Sequence, residues 1–287
     1  MKSSKLILLS LCAAVLSVAQ FAIAQEVAPL PPRTQAEQTW TDHRWQGSDG
    51  TDFHYVEQGE GVPIILIHGL TSSAVSNWFN TGIGQKLAAT NRVIAIDMRG
   101  HGDTGESPEN TDGTMINDIV EFMDYLGLDK AHIGGYSMGG ATTTGLLKTV
   151  PERFITASIM GIGIRETSAW QGRTAVDGSA VPPAADAEDT STAPSRAMPL
   201  DSRGVPRGAP NGAPEPNPEV DLTNINFPVL ALNGGNDRPL AKTHRMWREL
   251  KDFKYVVIPG RNHMEAPRDP LFGDALVKFI RANNPED

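Results

Sequence analysis

From residue 40 onward, the hydrophobic positions form short continuous apolar runs, separated by stretches where apolar residues recur every three or four positions. Val62-Pro63-Ile64-Ile65-Leu66-Ile67 and Arg92-Val93-Ile94-Ala95-Ile96 are unbroken and rich in β-branched side chains, the pattern of strands covered on both faces. Residues 131–136, 154–164, 228–232 and 254–258 carry further runs of this kind. Between the first two runs, residues 84–89 predict part of a crossover helix. Met115, Ile116, Ile119, Val120, Met123 and Leu126 stand at helical spacing with Asp118, Glu121 and Asp124 opposite, so this helix packs on a sheet and its methionines belong to the core. Residues 141–148 continue as a helix until Pro151, another helix carries Met246, Trp247 and Leu250, and 271–282 suits a closing helix. Two strands, at 40–45 and 51–56, flank the turn Gly47-Ser48-Asp49-Gly50 before the alternation begins. Strands alternating with helices predict an α/β fold, an open and mostly parallel sheet of about eight strands with helices on both faces.

The alternation is missing before residue 40 and fails once inside the domain. Residues 25–39 are proline-rich and polar, as a linker would be. Residues from about 174 to 218 are dominated by Ala, Pro, Gly, Ser and Asp and offer neither a helix nor a core face, so they predict a long surface excursion. At the start, Lys2 and Lys5 precede an apolar stretch ending in Ala22-Ile23-Ala24. That predicts a signal peptide over 1–24, cleaved after Ala24, and a periplasmic or secreted mature chain; an uncleaved membrane anchor is the competing reading. The single cysteine, Cys12, leaves with the signal, so no disulfide framework holds the remainder. A net charge of -9 and the lack of basic runs with interleaved aromatics argue against a nucleic-acid partner. No HExxH, paired His/Cys cluster or acidic calcium loop calls for a metal, and Gly82-Ile83-Gly84 and Gly161-Ile162-Gly163 are too short for phosphate fingerprints, so no cofactor is implied.

Groups that act in parallel sheets gather beyond the carboxyl ends of the strands. Here those positions hold His68-Gly69-Leu70, Asp97, Ser137, Asp237 and His263. Ser137 lies within Gly135-x-Ser137-x-Gly139, between an apolar run and a helix, which is the strand, turn and helix order of a nucleophile elbow. A serine hydroxyl is a poor nucleophile at neutral pH without an adjacent base, and an imidazole base needs a carboxylate to hold its tautomer. His263 is the candidate base and Asp237 the candidate orienter, with Asp201 and Asp221 as competing acids. Asp97 reads as a turn and hydrogen-bonding residue. His132 lies inside a strand, and His43, His54 and His244 occupy no expected catalytic position.

With these motifs in place, the chain resembles the α/β-hydrolase superfamily over nearly all of residues 40–287 except the Ala/Pro/Gly segment. The resemblance is carried by His68-Gly69, Asp97-x-Arg99-Gly100-His101-Gly102, the serine elbow, Gly234-x-x-Asp237 and the late His263. It implies a Ser137–His263–Asp237 triad and an oxyanion hole formed by the backbone N–H groups of Met138 and Leu70. It also makes His68 and His101 structural turn residues. Trp78, beyond Leu70, is a candidate wall of an acyl pocket, with a packed core tryptophan as the competing reading. The chain departs from the family in lacking an HGGG first loop and a legible helical lid between the sixth and seventh strands. A reduced or irregular cap then suggests an exposed site that admits bulky or polymeric esters. Serine at the elbow argues against the family's dehalogenases and epoxide hydrolases, which use aspartate there. The activity implied is carboxylic ester cleavage through an acyl-enzyme on a small-molecule or polymeric ester. Lactone hydrolysis, peracid formation and carbon–carbon cleavage use the same triad, and a slow-turnover ligand-binding protein is the alternative from another class. Oligomeric state leaves no mark in the sequence.

Overall fold

A computed structural model describes residues 28–105, 115–164 and 220–286. The expected signal peptide, the insertion at 174–218 and Asp201 lie outside the described residues. The strands are β1 (Thr41–Gln46), β2 (Asp52–Gln58), β3 (Val62–Ile67), β4 (Asn91–Ile96), β5 (Ala131–Tyr136), β6 (Phe154–Met160), β7 (Val229–Gly234) and β8 (Phe253–Ile258). The helices are α1 (Ile83–Leu87), α2 (Met115–Tyr125), α3 (Met138–Thr149), α4 (Pro239–Glu249) and α5 (Pro270–Arg281). Among the described residues, no helix is long and apolar enough to cross a membrane.

The eight strands form one sheet in the order β1-β2-β4-β3-β5-β6-β7-β8. The two strands flanking the Gly-containing turn, β1 and β2, pair antiparallel, and so do β2 and β4; from β4 to β8 every pairing is parallel. Alternation of side chains across the pleat explains the two cores. Ile65, Ile67, Ile94, Ile96 and Ile133 face one way, onto Met115, Ile119 and Phe122 of α2 and Leu146 of α3. Ile64, Leu66, Val93, Ala95, Leu230 and Leu232 face the other, onto Leu87 of α1 and Phe272, Leu276 and Ile280 of α5. Strands covered on both faces must be apolar throughout, and that is why their sequences do not alternate.

The elbow helix α3 is less obviously helical, since it contains Thr142-Thr143-Thr144. β-branched residues lose rotamer freedom in a helix, and threonine hydroxyls compete for backbone partners. Here Thr142, Thr143 and Thr144 each donate to the carbonyl four residues earlier, at 3.2, 2.9 and 3.0 Å, so the competing group is satisfied inside the helix. The parallel register leaves the carboxyl ends of β3, β5, β7 and β8 along one edge, where the turns that follow them meet.

Candidate active site

Ser137 sits between β5 and α3 with φ 54° and ψ -106°, a backbone conformation that non-glycine residues rarely adopt. Strain of this kind costs roughly 1–3 kcal/mol and persists only when the surroundings impose it. They do so here: Ser137 N–H donates to the Met160 carbonyl at 2.8 Å, and Gly139 N–H to that of His68 at 3.1 Å. The flanking glycines follow from close approach. A Cβ on Gly135 would lie 2.0 Å from the Gly139 carbonyl oxygen, and one on Gly139 would lie 2.2 Å from that of Ile67. The G-x-S-x-G pattern is therefore the steric condition for packing β3, β5 and α3 around the half-buried Ser137.

Asp237 follows β7 and His263 follows β8. The two turns are joined backbone to backbone, Asn236 N–H donating to the Arg261 carbonyl at 2.9 Å. His263 Nε2 lies 2.8 Å from Ser137 Oγ, and His263 Nδ1 lies 2.7 Å from Asp237 Oδ2. A neutral imidazole with its proton on Nδ1 satisfies both contacts, donating to the carboxylate and accepting from the hydroxyl. Tyr136, immediately before the serine, donates its hydroxyl to the His263 carbonyl and so fixes the turn as well as the ring. Burial raises the Tyr136 phenol, with a further push from Asp237, so it stays a donor.

Asp237 has a second partner that the sequence did not reveal. Lys242, on α4, places Nζ 2.6 Å from Asp237 Oδ1 and donates to the Gly161 carbonyl at 3.0 Å. Burial alone would raise the Asp237 carboxyl, but hydrogen bonds from His263 and Lys242 outweigh it and hold the group below its ordinary value. Burial lowers the Lys242 ammonium in turn, against the opposing pull of Asp237.

The loop after β3 lies against the serine. A Cβ on Gly69 would lie in van der Waals contact with Ser137 Cβ, at 3.5 Å, and the Gly69 N–H donates to Asn77 Oδ1 at 3.0 Å. Asn77, another residue the sequence did not single out, is buried, and its Nδ2 has no hydrogen-bond partner among the described residues. Leu70 borders the cleft beside Ser137 and His263, and Met138 opens α3 directly after the serine. The expectation for Trp78 is corrected: it is fully buried and does not border the cleft. It belongs to a short π-helical turn, Val75–Phe79, whose winding carries Trp78 into the core beside Ala74 and Leu87, while Asn77 and Phe79 reach the cleft.

The remaining candidates have structural places. Asp221 accepts from Thr223 N–H at 3.0 Å and caps a short 3-10 turn, Leu222–Asn224. His68 donates from Nδ1 to the Gly69 carbonyl and accepts at Nε2 from Met98 N–H; burial pushes it down to about 4, keeping it neutral. His101 donates from Nδ1 to the Arg99 carbonyl, and His132 is buried in β5 and likewise pushed down by burial to about 4. Asp97 accepts from Ala74 N–H at 2.6 Å and Asp103 N–H at 2.9 Å, and faces His54 Nδ1 at 2.8 Å. Sequence reading passed over His54, because nothing local marks a pair 43 residues apart.

Around Ser137 and His263 opens a cleft of about 820 Å³. The chain is similar to known proteins over part of its length. A family model described as alpha/beta hydrolase fold matches residues 62–174. A 2-hydroxy-6-oxo-6-(2'-aminophenyl)hexa-2,4-dienoic acid hydrolase of Metapseudomonas resinovorans is 40% identical over 107 residues, 36% of this chain and 36% of that protein. The dihydrolipoyllysine-residue acetyltransferase component of the acetoin cleaving system of Pseudomonas putida is 34% identical over 102 residues, 35% of this chain and 26% of that protein. The chain thus spans well under half the length of these curated relatives. Among solved structures, a thermophilic esterase from Thermogutta terrifontis superposes with a TM-score of 0.62 at 20% identity, over 85% of this chain and 100% of that one. By its sheet order, its elbow and these matches, the chain has the α/β-hydrolase fold.

Proposed function

We propose that the protein is a serine hydrolase that cleaves carboxylic esters through Ser137, His263 and Asp237. One observation carries the reading: an unbroken chain of contacts from Ser137 Oγ through both imidazole nitrogens to Asp237, beside an open cleft. Ser137 Oγ attacks the ester carbonyl carbon as His263 Nε2 takes its proton. Asp237 stabilises the imidazolium through Nδ1–H. The N–H groups of Met138 and Leu70 hold the oxyanion, a contribution of roughly 3 kcal/mol per donor in enzymes of this kind. His263 then returns the proton to the departing alkoxide, leaving an acyl-enzyme on Ser137. Water, deprotonated by the same imidazole, attacks that acyl group and releases the acid and the serine.

Carbon–carbon cleavage is the second reading, supported by the similarity to the dienoic acid hydrolase of Metapseudomonas resinovorans. A panel of esters, lactones and diketones, run beside Ser137→Ala, separates the readings. Ester turnover above the rest, abolished by the substitution, supports the proposal; diketone cleavage with inert esters favours the second reading. Full ester turnover by Ser137→Ala overturns the serine mechanism.

A further inference from the structure

The segment expected as a linker does not hang free of the fold. Residues 28–39 form neither helix nor strand, yet three contacts fasten them across the cleft. Ala36 N–H donates to Asn80 Oδ1 at 2.9 Å, the Arg268 guanidinium donates to the Pro31 carbonyl at 2.9 Å, and Arg261 donates to the Ala28 carbonyl. Arg261 is itself buried and paired with Asp269 Oδ2 at 2.7 Å, so that anchor is rigid. The strap therefore bridges the two loops that flank the serine: the one after β3, which leads to Asn80, and the one after β8, which carries His263. Pro29, Pro31 and Pro32 restrict its φ angles, which lowers the entropy lost in holding an irregular segment still.

Residues 31–36 border the same cleft as Ser137 and His263. Among the described residues, the charged side chains at its border are Arg33 and Arg268, and no carboxylate joins them. In a chain of net charge -9, an acid-free border carrying two guanidinium groups is a local inversion of sign. A cleft lined by one sign concentrates the opposite charge, and a guanidinium matches a carboxylate with two parallel N–H donors.

We propose that residues 31–36 are the outer wall of the binding cleft, and that Arg33, supported by Arg268, selects acyl substrates that also carry a carboxylate. The identity of the reacting carbonyl rests on the serine-hydrolase reading above; the anion preference does not. A half-ester of a dicarboxylic acid has the required form, with its ester carbonyl at Ser137 and its free carboxylate at the strap. A cut after Ala24 leaves this wall in place.

The test compares monoethyl adipate with the neutral diethyl adipate. Binding is measured by calorimetry on full-length Ser137→Ala protein, so that neither ester is consumed. The monoester should bind about fivefold more tightly at moderate salt, the size of a partly screened ion pair, and the ratio should shrink as salt is raised. Adding Arg33→Glu should bring the ratio to one or below, with Arg33→Gln between the two. Arg268→Gln, which releases the Pro31 carbonyl, should also reduce it. Equal affinities, tighter binding of the diester, a ratio indifferent to both arginines, or binding of neither ester would overturn the proposal. Failure of the hydrolase reading looks different: the wild-type protein would bind the monoester with the same preference and not cleave it.

Discussion

In the cleft, His263 Nδ1 meets Asp237 Oδ2 at 2.7 Å; between β2 and the turn after β4, His54 Nδ1 meets Asp97 Oδ2 at 2.8 Å. The two pairs are alike in atoms and distance and differ in what surrounds them. His263 presents Nε2 to the Ser137 hydroxyl, whereas His54 presents Nε2 to a second carboxylate, Asp42 Oδ1, at 3.1 Å. A ring between two acids is best served by two N–H donors, which is the imidazolium. A ring between an acid and a hydroxyl can keep one nitrogen as an acceptor, because the hydroxyl is able to donate to it. Exposure follows the same division, 33% for the His263 side chain and 6% for that of His54. A histidine–aspartate pair is thus a common building unit, and the group at the far nitrogen decides whether it clamps the fold or moves a proton.

The comparison is broken most severely at the serine. Ser137→Ala should lower kcat for an ester by about 10⁶-fold while leaving the unfolding curve near that of the wild type, and His54→Gln should leave kcat in the wild-type range. Asp237→Asn should cost roughly 10⁴-fold in kcat, because the amide favours the wrong imidazole tautomer. Asp97→Ala belongs to the other pair and should appear in stability. It leaves His54 and the N–H groups of Ala74 and Asp103 without their acceptor, so urea unfolding should show a loss of about 3 kcal/mol. Lys242→Met sharpens the comparison, because it removes the ammonium partner of Asp237 and leaves that carboxylate with its histidine. A loss of about tenfold in kcat, or ~1.4 kcal/mol, is expected, and the acid limb of the pH–rate profile should move upward as Asp237 loses one of the two partners that lower it.

The smallest effect is a pH slope. Hydrogen bonding to Asp97, opposed by burial and reinforced by Asp42, raises the folded-state His54 above its ordinary 6.5, with Asp103 adding to the field. Its contribution to stability is therefore complete below about pH 6.5 and is lost as pH climbs through the raised folded value. The unfolding midpoint should fall over that window in the wild type, and this component should vanish in His54→Gln.

Much of this fold is legible in the chain because buried parallel strands must be continuously apolar, and the elbow is legible because its glycines answer to clashes within a few residues. β3, β4 and β7 each contain an unbroken apolar run, and Ser137 carries its own local pattern. The histidine and the acid were legible because both follow strand ends. Contacts made by folding alone were not visible. His54 and Asp97 are joined through the pairing of β2 with β4. Lys242 stands on an amphipathic helix whose sequence says nothing of Asp237, and Asn77 looked like any loop amide until its Oδ1 met Gly69. Trp78 stayed open between a pocket and a core because a large aromatic near the site suits both, and only the winding of the turn chooses between them. The strap at 31–36 has no periodicity, so its place on the cleft depends on anchors, Asn80 and Arg268, far away in sequence.

Reaction of the folded protein with a fluorophosphonate, followed by intact mass and peptide mapping, tests directly whether the serine-linked pair is the reactive one. A single adduct on Ser137, formed at the wild-type rate in His54→Gln and strongly slowed in Asp237→Asn, is the predicted result. An unmodified Ser137 in protein that still turns over an ester, or labelling equally fast in Asp237→Asn, would contradict the account.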